Sequence, residues 1–456
     1  MVPPAIAESV SGLPRYPCGV SQTARTSTVV RPFRALRYDL ARVDAGDVVA
    51  PPYDVIDEAH RLQLLERSPY NVVRLILPGT GNEAEAGETL ARWVEEGILI
   101  REPRPSAWWL EQEATGPDGV RRSRSGLITT VRVDAYGEGA VRPHERTLDG
   151  PKAGRLALMR AVGANLSPIF AIYDDPARGV TTLVDALLVD SPPLLSVRDA
   201  DGTDHRLWRI DDEEVLAAIS RSLADLPLVI ADGHHRYETA ITYRAERRAA
   251  DGDPADEQPY DFAPVYLANR CDPGLEPFAT HRIVTGIDRA LHDGLAARLL
   301  DWDAVRIPGD IETLERALAG APRDRAAFGL WSGDPDGGSL MTLRDPAIVA
   351  EALPAASAAT RALDVAVIGA LVLDRVLGLD AATVAITDRI GYRRRATEAA
   401  EAVAAEPPGT AVALLLRAPT VAEVEAVAAA GETMPQKSTY FFPKLLDGLV
   451  FHPLAD

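Results

Sequence analysis

The sequence predicts an α/β (α+β) protein of several domains, and three observations support this fold class. Its 456 residues are more than one ordinary hydrophobic core accommodates. Hydrophobic residues make up 46% of the chain and charged residues 25%, as in globular proteins. Short apolar runs alternate with helical periodicity, most clearly where Leu228–Ala231 precedes Ala240, Ile241, Tyr243 and Arg244. A buried strand followed by a helix is therefore predicted there.

The charge balance narrows the function. The formal net charge is −19, which argues against a general nucleic-acid or anionic-membrane binder, because those partners require a basic face. A phosphate site in this chain would have to be a local basic pocket. The two cysteines, Cys18 and Cys271, lie far apart without metal-ligand spacing, so the sequence predicts neither a disulfide framework nor a zinc knuckle. A reducing, cytoplasmic location is expected.

Two stretches of the sequence were considered as a secretory signal and as a membrane span. Residues 1–29 lack the basic and apolar regions of a secretory signal and are predicted to form a disordered tail. The apolar stretch 362–379 contains Asp364, Asp374 and Arg375. These charges predict a buried or amphipathic helix and not a membrane span.

Residues 30–200 are predicted to form an N-terminal α+β domain. Val48–Val55 is expected to be a strand and turn, with Asp54 capping the next helix. Helices are predicted at 57–67, 83–96, 152–162 and 181–188, and strands at 71–77, 107–112, 124–133 and 167–173. Gly116–Gly119 is a turn signal between two of these strands, which predicts an antiparallel pair.

The rest of the chain is divided into a central segment, 201–300, and a C-terminal α/β region, 301–456. Helices are predicted at 211–223, 289–300, 311–319, 362–377, 394–404 and 420–430, and strands at 264–269, 329–331, 340–343 and 411–416. Thr280–Arg282 is expected to be a polar loop. The polar and aromatic loop 433–444 is expected to return to a functional site, since long loops rich in functional groups are more often sites than connectors.

The stretch from Asp232 to Arg236 is the strongest candidate site. A strand, a glycine turn and a helix start form a natural anion site, because the first amides of a helix lack partners and its dipole end is positive. Arg236 adds a planar fork suited to phosphate, and His234 and His235 add groups that titrate near neutral pH. The alternative is a structural turn whose histidines cap the helix or face water.

Ala231-Asp-Gly-His-His-Arg-Tyr-Glu-Thr-Ala240 resembles the Gly-x-x-Arg box of the ParB/sulfiredoxin superfamily, whose loop cradles nucleotide phosphates. The resemblance implies that Gly233 lets the backbone approach a phosphate and that Arg236 neutralises it. His234 stands where sulfiredoxin has its cysteine, so sulfinic-acid reduction is not implied. A DNA-reading helix-turn-helix pattern is also missing from the sequence. A free-serine kinase is a precedent in that superfamily, so phosphoryl transfer or hydrolysis is implied.

The whole chain, from Arg31 to Val450, resembles the domain-of-unknown-function family numbered 1015. The segments that carry this resemblance are Val49–Ile56, Arg142–Thr147, Ala164–Phe170, Ala231–Ala240, Asp272–Gly274, Thr280–Arg282 and Met434–Lys444. This resemblance implies a family but no particular chemistry.

Three further segments are predicted to converge on the central box. His144 and Glu145, with Lys152, could supply a base and a phosphate clamp, or form a solvated loop. The segment from Lys437 to Lys444 could wrap phosphates and stack on a base, or pack its aromatic residues in the core. Tyr53 and Asp54 are placed beside the nucleotide by analogy with ParB-like domains.

These observations predict a nucleotide-binding protein, with phosphoryl transfer to a hydroxylated metabolite such as serine as its activity. ATP or ADP is the expected co-substrate, and Mg²⁺ is expected at Asp232. The catalytic candidates are Asp232, His234 and Glu145. The phosphate- or nucleotide-binding candidates are Gly233, His235, Arg236, His144, Lys152, Lys437, Ser438, Thr439, Lys444, Tyr53 and Asp54. A nucleotide-sensing or protein-binding module without catalysis and a metal-dependent hydrolase remain alternatives. The predicted partners are a nucleotide and a small metabolite, and neither nucleic acid nor membrane is expected.

Overall fold

The structure is a computed structural model that describes residues 27–145 and 149–455. Most of the predicted disordered tail, residues 1–26, lies outside this part, as do Cys18 and residues 146–148. Thr28, at the end of that tail, is buried, and its amide donates to the Ala224 carbonyl at 2.7 Å. The Cys271 thiol donates to Asp174 Oδ1 at 3.3 Å and forms no disulfide with another residue of the described ranges.

The first half of the chain supplies the elements that surround the candidate site. Its helices are α1 (Ala45–Val48), α2 (Glu58–Arg67), α3 (Val73–Ile76), α4 (Glu83–Glu95), α5 (Asp149–Val162), α6 (Gly179–Leu188), α7 (Glu213–Leu223) and α8 (His234–Ala250). Its strands are β1 (Val30–Arg31), β2 (Leu36–Tyr38), β3 (Leu99–Arg101), β4 (Ala107–Thr115), β5 (Arg121–Arg132), β6 (Val141–Arg142), β7 (Ala164–Asn165), β8 (Ile169–Tyr173), β9 (Leu195–Arg198), β10 (Asp204–Ile210), β11 (Leu228–Asp232) and β12 (Phe262–Asn269).

The second half contributes a smaller sheet and its covering helices. Its helices are α9 (Arg289–Arg298), α10 (Ile311–Ala319), α11 (Ile348–Ala352), α12 (Ala358–Arg361), α13 (Asp364–Ile368), α14 (Ala381–Ile386), α15 (Ala396–Ala405) and α16 (Val421–Ala429). Its strands are β13 (Pro277–Phe278), β14 (His281–Val284), β15 (Trp302–Pro308), β16 (Ala327–Trp331), β17 (Gly337–Leu343), β18 (Ile390–Arg393), β19 (Val412–Leu415), β20 (Tyr440–Phe441) and β21 (His452–Pro453).

Two sheets organise the chain, so the mixed α/β fold class is confirmed. The large sheet has the order β6-β11-β8-β12-β5-β4-β10-β9, with β1 paired to β5. It is mixed, because β11 runs parallel to β6 and β12 parallel to β8, whereas the other pairs are antiparallel. It contains strands from both predicted segments, 30–200 and 201–300. The second sheet has the antiparallel order β15-β17-β16-β19-β14-β18.

The hydrophobic core lies on both faces of the large sheet. One face packs against α6, α7 and α8 through buried residues such as Val180, Leu216 and Tyr237. The opposite face continues into the second sheet in one cluster that includes Tyr266 and Phe328. Burying apolar surface on both sides fixes β11, and with it the loop that leads into α8.

The C-terminal segment returns to the first half of the chain. β21 pairs with β7 in that half, whereas β20 pairs with β13 in the second half. Isolated bridges join Met434 to Glu145 and Asp447 to Ala50. The loop 433–444 is thereby held beside the start of α8.

The predicted antiparallel pair at the Gly116–Gly119 turn is confirmed as β4 and β5, but three local predictions were wrong. The strand predicted at 71–77 is helix α3, because its apolar run is buried on all sides and such a run does not separate strand from buried helix. Thr280–Arg282 leads into β14 and is buried. Asp57, and not Asp54, caps α2 by accepting the His60 amide at 2.8 Å.

The apolar stretch 362–379 is buried but is not one continuous α-helix. Its first part is α13, and residues Gly369–Asp374 form a π-helical turn. Across residues 27–145 and 149–455, no helix is both long enough and apolar enough to cross a membrane.

Candidate functional site

The loop between β11 and α8 has the strand-glycine-helix geometry that the sequence predicts. Gly233 has φ +93°, a conformation that side chains strongly disfavour. A Cβ atom added there would lie 2.9 Å from the Arg236 guanidinium. Arg236 folds back over this glycine, donating to the Pro168 carbonyl and to Asp232 Oδ2. The glycine is therefore required both by the backbone and by the arginine that crosses it.

Asp232 joins this loop to the C-terminal segment. Its Oδ2 accepts from Arg236, and its Oδ1 accepts from Lys444 Nζ, 212 residues away in sequence. Burial alone would raise the pKa of Asp232, but Lys444 and Arg236 outweigh it and hold the pKa well below its ordinary value. Asp232, Arg236 and Lys444, here called the Asp232 cluster, carry a net charge of about +1 at neutral pH. This is the local basic site expected in an acidic protein.

His144 and His234 pack against each other with ring centroids 4.7 Å apart. His144 Nδ1 bonds to the Ile230 carbonyl, which can only accept, so Nδ1 carries the proton. Its Nε2 then accepts from the Thr439 hydroxyl at 2.9 Å. The His144 amide donates to His234 Nε2 at 3.2 Å. These bonds tie the loop after β6, the α8 start and the terminal loop together.

Both histidines are neutral in this arrangement. Burial lowers the pKa of His144 to about 4, and burial followed by the neighbouring His144 lowers the pKa of His234 well below its ordinary value. Since His234 Nε2 already accepts an amide, that nitrogen is engaged in the fold. His235 is half-buried on the next position of α8.

Glu145 has a very different titration behaviour. Burial raises the pKa of Glu145 to about 7, against the opposing effects of the Lys437 charge and the Lys437 amide, which bonds to its carboxylate. A carboxyl that titrates near neutral pH is suited to accepting and returning a proton. Glu145 therefore remains the candidate for a general base, a role that the sequence also suggested.

Some side chains of the terminal loop, residues 433–444, are buried and others are exposed. The Ser438 hydroxyl is buried and donates to the Pro435 carbonyl, and Thr439 bonds to His144. Phe441 is buried, and its ring centroid lies 5.6 Å from that of Phe170. Lys437 is exposed with φ +55°. The core-packing alternative therefore holds for Phe441, whereas phosphate binding by Lys437 stays a prediction.

A buried arginine supports the terminal loop from beneath. Arg124 Nη2 donates to the Pro443 carbonyl and to Gln112 Oε1, each at 2.5 Å. Gln112 in turn donates to the Lys444 carbonyl at 2.9 Å. Lys444 is held in position by its backbone as well as by its contact with Asp232.

Tyr53 and Lys152 contact different residues of α5 and α8. The Tyr53 ring lies 3.9 Å from the guanidinium of Arg155 on α5, and Asp54 beside it is exposed. Lys152 forms an ion pair with Glu238 on α8 at 2.5 Å. The structure therefore brings the segments of Tyr53, His144, Asp232–Arg236 and Lys444 together, while Lys152 contacts α8 one turn beyond His234.

Two pockets adjoin the Asp232 cluster. The first, the Arg155 pocket, has a cavity volume of about 50 Å³ and is lined by Tyr53, Ile76, Arg155, Leu158, Met159, Ala164, Asn165, Leu166, Ser167, Ile169, Arg236 and Thr239. The second, the Tyr440 pocket, has a cavity volume of about 60 Å³ and is lined by Pro51, Pro52, Val55, His60, Asp199, Ala200, Asp201, Thr203, Arg394, Tyr440, Phe442, Pro443, Lys444 and Leu446.

The cluster touches both pockets. Arg236 lines the Arg155 pocket and Lys444 lines the Tyr440 pocket, and both bond to Asp232. In the Tyr440 pocket the Arg394 guanidinium lies 4.0 Å from the Tyr440 ring centroid. The turn 51–55 contributes residues to each pocket, so it borders both.

Asp447 interacts electrostatically with Arg236 and Arg155 and was not among the residues predicted from the sequence. Its side chain is buried, and its Oδ2 has no hydrogen-bond partner among the described residues. Burial raises the pKa of Asp447 to about 7, although the positive charges of Arg236 and Arg155 oppose the rise. The available signal was a lone aspartate inside the apolar run 445–451. Arg155 and Ser167 carried no comparable signal.

Mg²⁺ was predicted to bind at Asp232. Each of its carboxylate oxygens already accepts a bond from a cation. Within residues 27–145 and 149–455, no three His, Cys, Asp or Glu side chains gather as metal ligands. The expectation of a magnesium ligand at Asp232 is therefore not supported by its contacts.

Fold and site together define an α/β protein with a carboxylate–cation cluster between two pockets. The chain belongs to the family described as "Protein of unknown function (DUF1015)", whose pattern matches residues 30–366. This confirms the family resemblance of the sequence. No curated protein matches the chain.

Several solved structures are similar to part of the chain. "Free serine kinase in complex with AMP" has 14% identity and TM-score 0.34, covering 69% of this chain and 86% of that one. A conserved hypothetical protein from Pyrococcus furiosus has 14% identity and TM-score 0.34, covering 70% and 93%. SbnI with C-terminal truncation from Staphylococcus aureus has 13% identity and TM-score 0.33, covering 72% and 87%. Similarities at these TM-scores carry no argument about function.

Proposed function

We propose that this protein binds a nucleotide beside the Asp232 cluster and transfers a phosphoryl group from it to a hydroxylated small molecule. The observation that carries the proposal is the position of this cationic cluster between two pockets. A reaction between two bound molecules requires adjoining sites, and phosphoryl transfer requires charge neutralisation where they meet. Arg236 faces one pocket and Lys444 the other, which matches this requirement.

The Arg155 pocket is assigned to the nucleotide. Leu158, Met159 and Ile169 give it an apolar wall suited to a base. Arg155 and Arg236 supply planar forks suited to phosphates. The positive end of the α8 dipole adds to their effect, since Arg236 lies in its first turn.

The Tyr440 pocket is assigned to the acceptor. Arg394 and Lys444 oppose Asp201 across a lining that includes the Tyr440 and Phe442 rings. This mixture of charges suits a small, charged, hydroxylated metabolite, and serine is the precedent that the ParB/sulfiredoxin resemblance supplies. That resemblance itself stays a prediction.

Glu145 is the proposed acceptor of the hydroxyl proton. Its pKa near 7 matches the working pH, and its titration responds to the charges of Asp232 and Lys444, so it lies close to the cluster. Neutral His234 is assigned to holding the loop. No step is assigned to magnesium, because both oxygens of Asp232 are engaged by Arg236 and Lys444.

Nucleotide binding is tested by thermal shift with ATP, ADP and AMP, each with and without Mg²⁺. A ligand at about a hundred times its dissociation constant adds about 2.7 kcal/mol to stability, which is readily measured. Arg236→Lys should weaken binding although it keeps the charge, because the fork is lost. Arg206→Lys, in a surface ion pair with Glu111, is the matched control and should leave binding unchanged.

Turnover is tested by nucleotide consumption against serine, homoserine, glycerate and sugar alcohols. Glu145→Gln should slow turnover with nearly unchanged nucleotide affinity. A nucleotide that binds tightly but is returned unchanged with every acceptor would refute phosphoryl transfer and favour a nucleotide sensor. Unchanged affinity in a folded Arg236→Ala variant would refute the placement of the phosphates.

A further inference from the structure

The Tyr440 pocket contains a buried hydroxyl that the fold leaves without a partner. Thr203 lines this pocket and is only 1% exposed. Its Oγ1 has no hydrogen-bond partner within residues 27–145 and 149–455. Buried side-chain hydroxyls are hydrogen-bonded in the large majority of folded proteins. A buried polar atom beside a pocket therefore points to a ligand that completes its hydrogen bonding.

The turn that carries Thr203 is tightly closed and negatively charged. It connects β9 to β10. The Asp199 amide donates to the Thr203 carbonyl at 3.0 Å, and Asp199 Oδ1 accepts from the Thr203 amide at 2.9 Å. Asp201 lies between these two residues and lines the same pocket. Its carboxylate forms no ion pair with another residue of the described ranges, so it is available to a ligand.

His205 keeps Asp199 ionised and in place. The Gln112 amide nitrogen lies 3.3 Å from His205 Nδ1 and can only donate, so the ring proton resides on Nε2. His205 Nε2 then donates to Asp199 Oδ2 at 2.9 Å. Burial alone would raise the pKa of Asp199, but the bonds from His205 and the Thr203 amide outweigh it and hold the pKa below its ordinary value. Because both of its oxygens are engaged, Asp199 positions the turn.

The cations of the pocket do not neutralise this turn. The Arg394 guanidinium carbon and Lys444 Nζ lie 4.0 and 5.5 Å from the centroid of the Tyr440 ring. Lys444 is paired with Asp232, and Arg394 pairs with no carboxylate in the described part of the chain. The pocket therefore keeps the unpaired carboxylate of Asp201 and an unpaired hydroxyl. An ammonium group matches them, since it carries the opposite charge and has three N–H donors.

We propose that Asp201 and Thr203 form an ammonium subsite of the Tyr440 pocket, which selects hydroxylated amines as acceptors. The ammonium group donates to the Asp201 carboxylate and to Thr203 Oγ1, while Asp199 and His205 are positioning residues. The acidic turn alone would not define a site, and the buried hydroxyl without a partner is the second observation. The inference rests on the proposed function for the assignment of this pocket to the acceptor.

Serine and glycerate measure the selectivity, because they differ only in an ammonium group that replaces a hydroxyl. With ATP or ADP as the donor, the parent should have a KM for serine about ten-fold or more below that for glycerate. Thr203→Val and Asp201→Asn should each raise the KM for serine about ten-fold, and should leave kcat and the KM for glycerate within about two-fold.

Thr203→Val separates ligand binding from folding. Its hydroxyl has no partner in the fold, so removing it should not lower the free energy of unfolding. Thr129→Val removes a buried hydroxyl that donates to the Arg31 carbonyl at 2.8 Å, so it should lower the free energy of unfolding and keep the parent's KM for serine. Asp185→Asn, at an exposed aspartate of α6, is the matched control for Asp201→Asn and should keep the selectivity.

Calorimetry with serine and ethanolamine, in the presence of ADP, makes the test independent of turnover. Binding of both amines that Asp201→Asn weakens would support the subsite, and would do so also if no phosphoryl transfer were detected. Equal KM values for serine and glycerate, or an unchanged KM for serine in folded Thr203→Val, would overturn the subsite and leave phosphoryl transfer standing.

Two further outcomes would also overturn the ammonium subsite. One is that neither amine binds to the parent. The other is that potassium chloride stabilises the parent against thermal unfolding as much as ethanolamine hydrochloride does at the same ionic strength, which would indicate a site for an inorganic cation.

Discussion

Removing one residue of the Asp232 cluster should destabilise the protein, and the size of the loss should depend on which other residues of the cluster are present. Asp232 and Lys444 have side chains that are 20% and 19% exposed, so their pair lies between a surface and a buried ion pair. Surface pairs contribute up to about 1 kcal/mol, whereas breaking a buried pair costs about 3–5 kcal/mol. Asp232→Asn leaves two cations facing each other and should lower the free energy of unfolding by about 3 kcal/mol.

Lys444→Met should cost less, about 1–2 kcal/mol, because Arg236 still neutralises Asp232. In the double variant the losses should not add, and a coupling free energy of about 1–2 kcal/mol is expected. Urea unfolding at pH 7 measures all four corners of this cycle. The exposed pair of Glu58 and Arg61 supplies a control cycle that should show no measurable coupling.

The stabilisation that Asp232 provides should change with pH in a definite direction. The folded-state pKa of Asp232 lies below its ordinary value of 3.8, so its stabilisation is present above about pH 4 and is lost as pH falls further. The difference between the parent and Asp232→Asn should be constant from pH 5 to 9 and shrink on acidification. Additive losses, with coupling below about 0.5 kcal/mol, would show that Asp232 and Lys444 do not act on each other.

Three further predictions concern neighbouring residues. Asp447→Asn should raise the free energy of unfolding at pH 8 by about 2–4 kcal/mol, because the rise in pKa from 3.8 to about 7 makes the ionised carboxylate unfavourable in the folded state. Urea unfolding should show that this gain in stability vanishes near pH 4. An equal gain at both pH values would contradict the prediction. Gly233→Ala should lower the thermal unfolding temperature more than Gly252→Ala does. Both glycines have positive φ, but only at Gly233 would the added Cβ contact a neighbour, the Arg236 guanidinium. Equal losses in the two variants would contradict the steric argument. NMR titration should show His144 and His234 unprotonated from pH 6 to 8, because burial lowers the pKa of both, and a midpoint near 6.5 for either would disprove their buried hydrogen bonding.

The sequence alone determined the elements whose signals lie in adjacent residues. The apolar run of β11, the glycine and the periodic residues of α8 predicted the strand-turn-helix that the structure confirms. The family was also recognisable from short segments spread along the chain. Where adjacent residues were ambiguous, as in the apolar run 71–77, burial on all sides produced a helix in place of the predicted strand.

Only the tertiary structure decided how charges were paired and which groups were buried. No local pattern specifies that Lys444 contacts Asp232. That contact depends on the pairing of β20 with β13 and of β21 with β7, which holds the C-terminal segment in place. Asp447 became a titratable group near neutral pH for the same reason, since its environment is made by Arg155 and Arg236 from other segments. Backbone preference is encoded locally, whereas desolvation and Coulomb interactions depend on distances that exist only after the chain has folded.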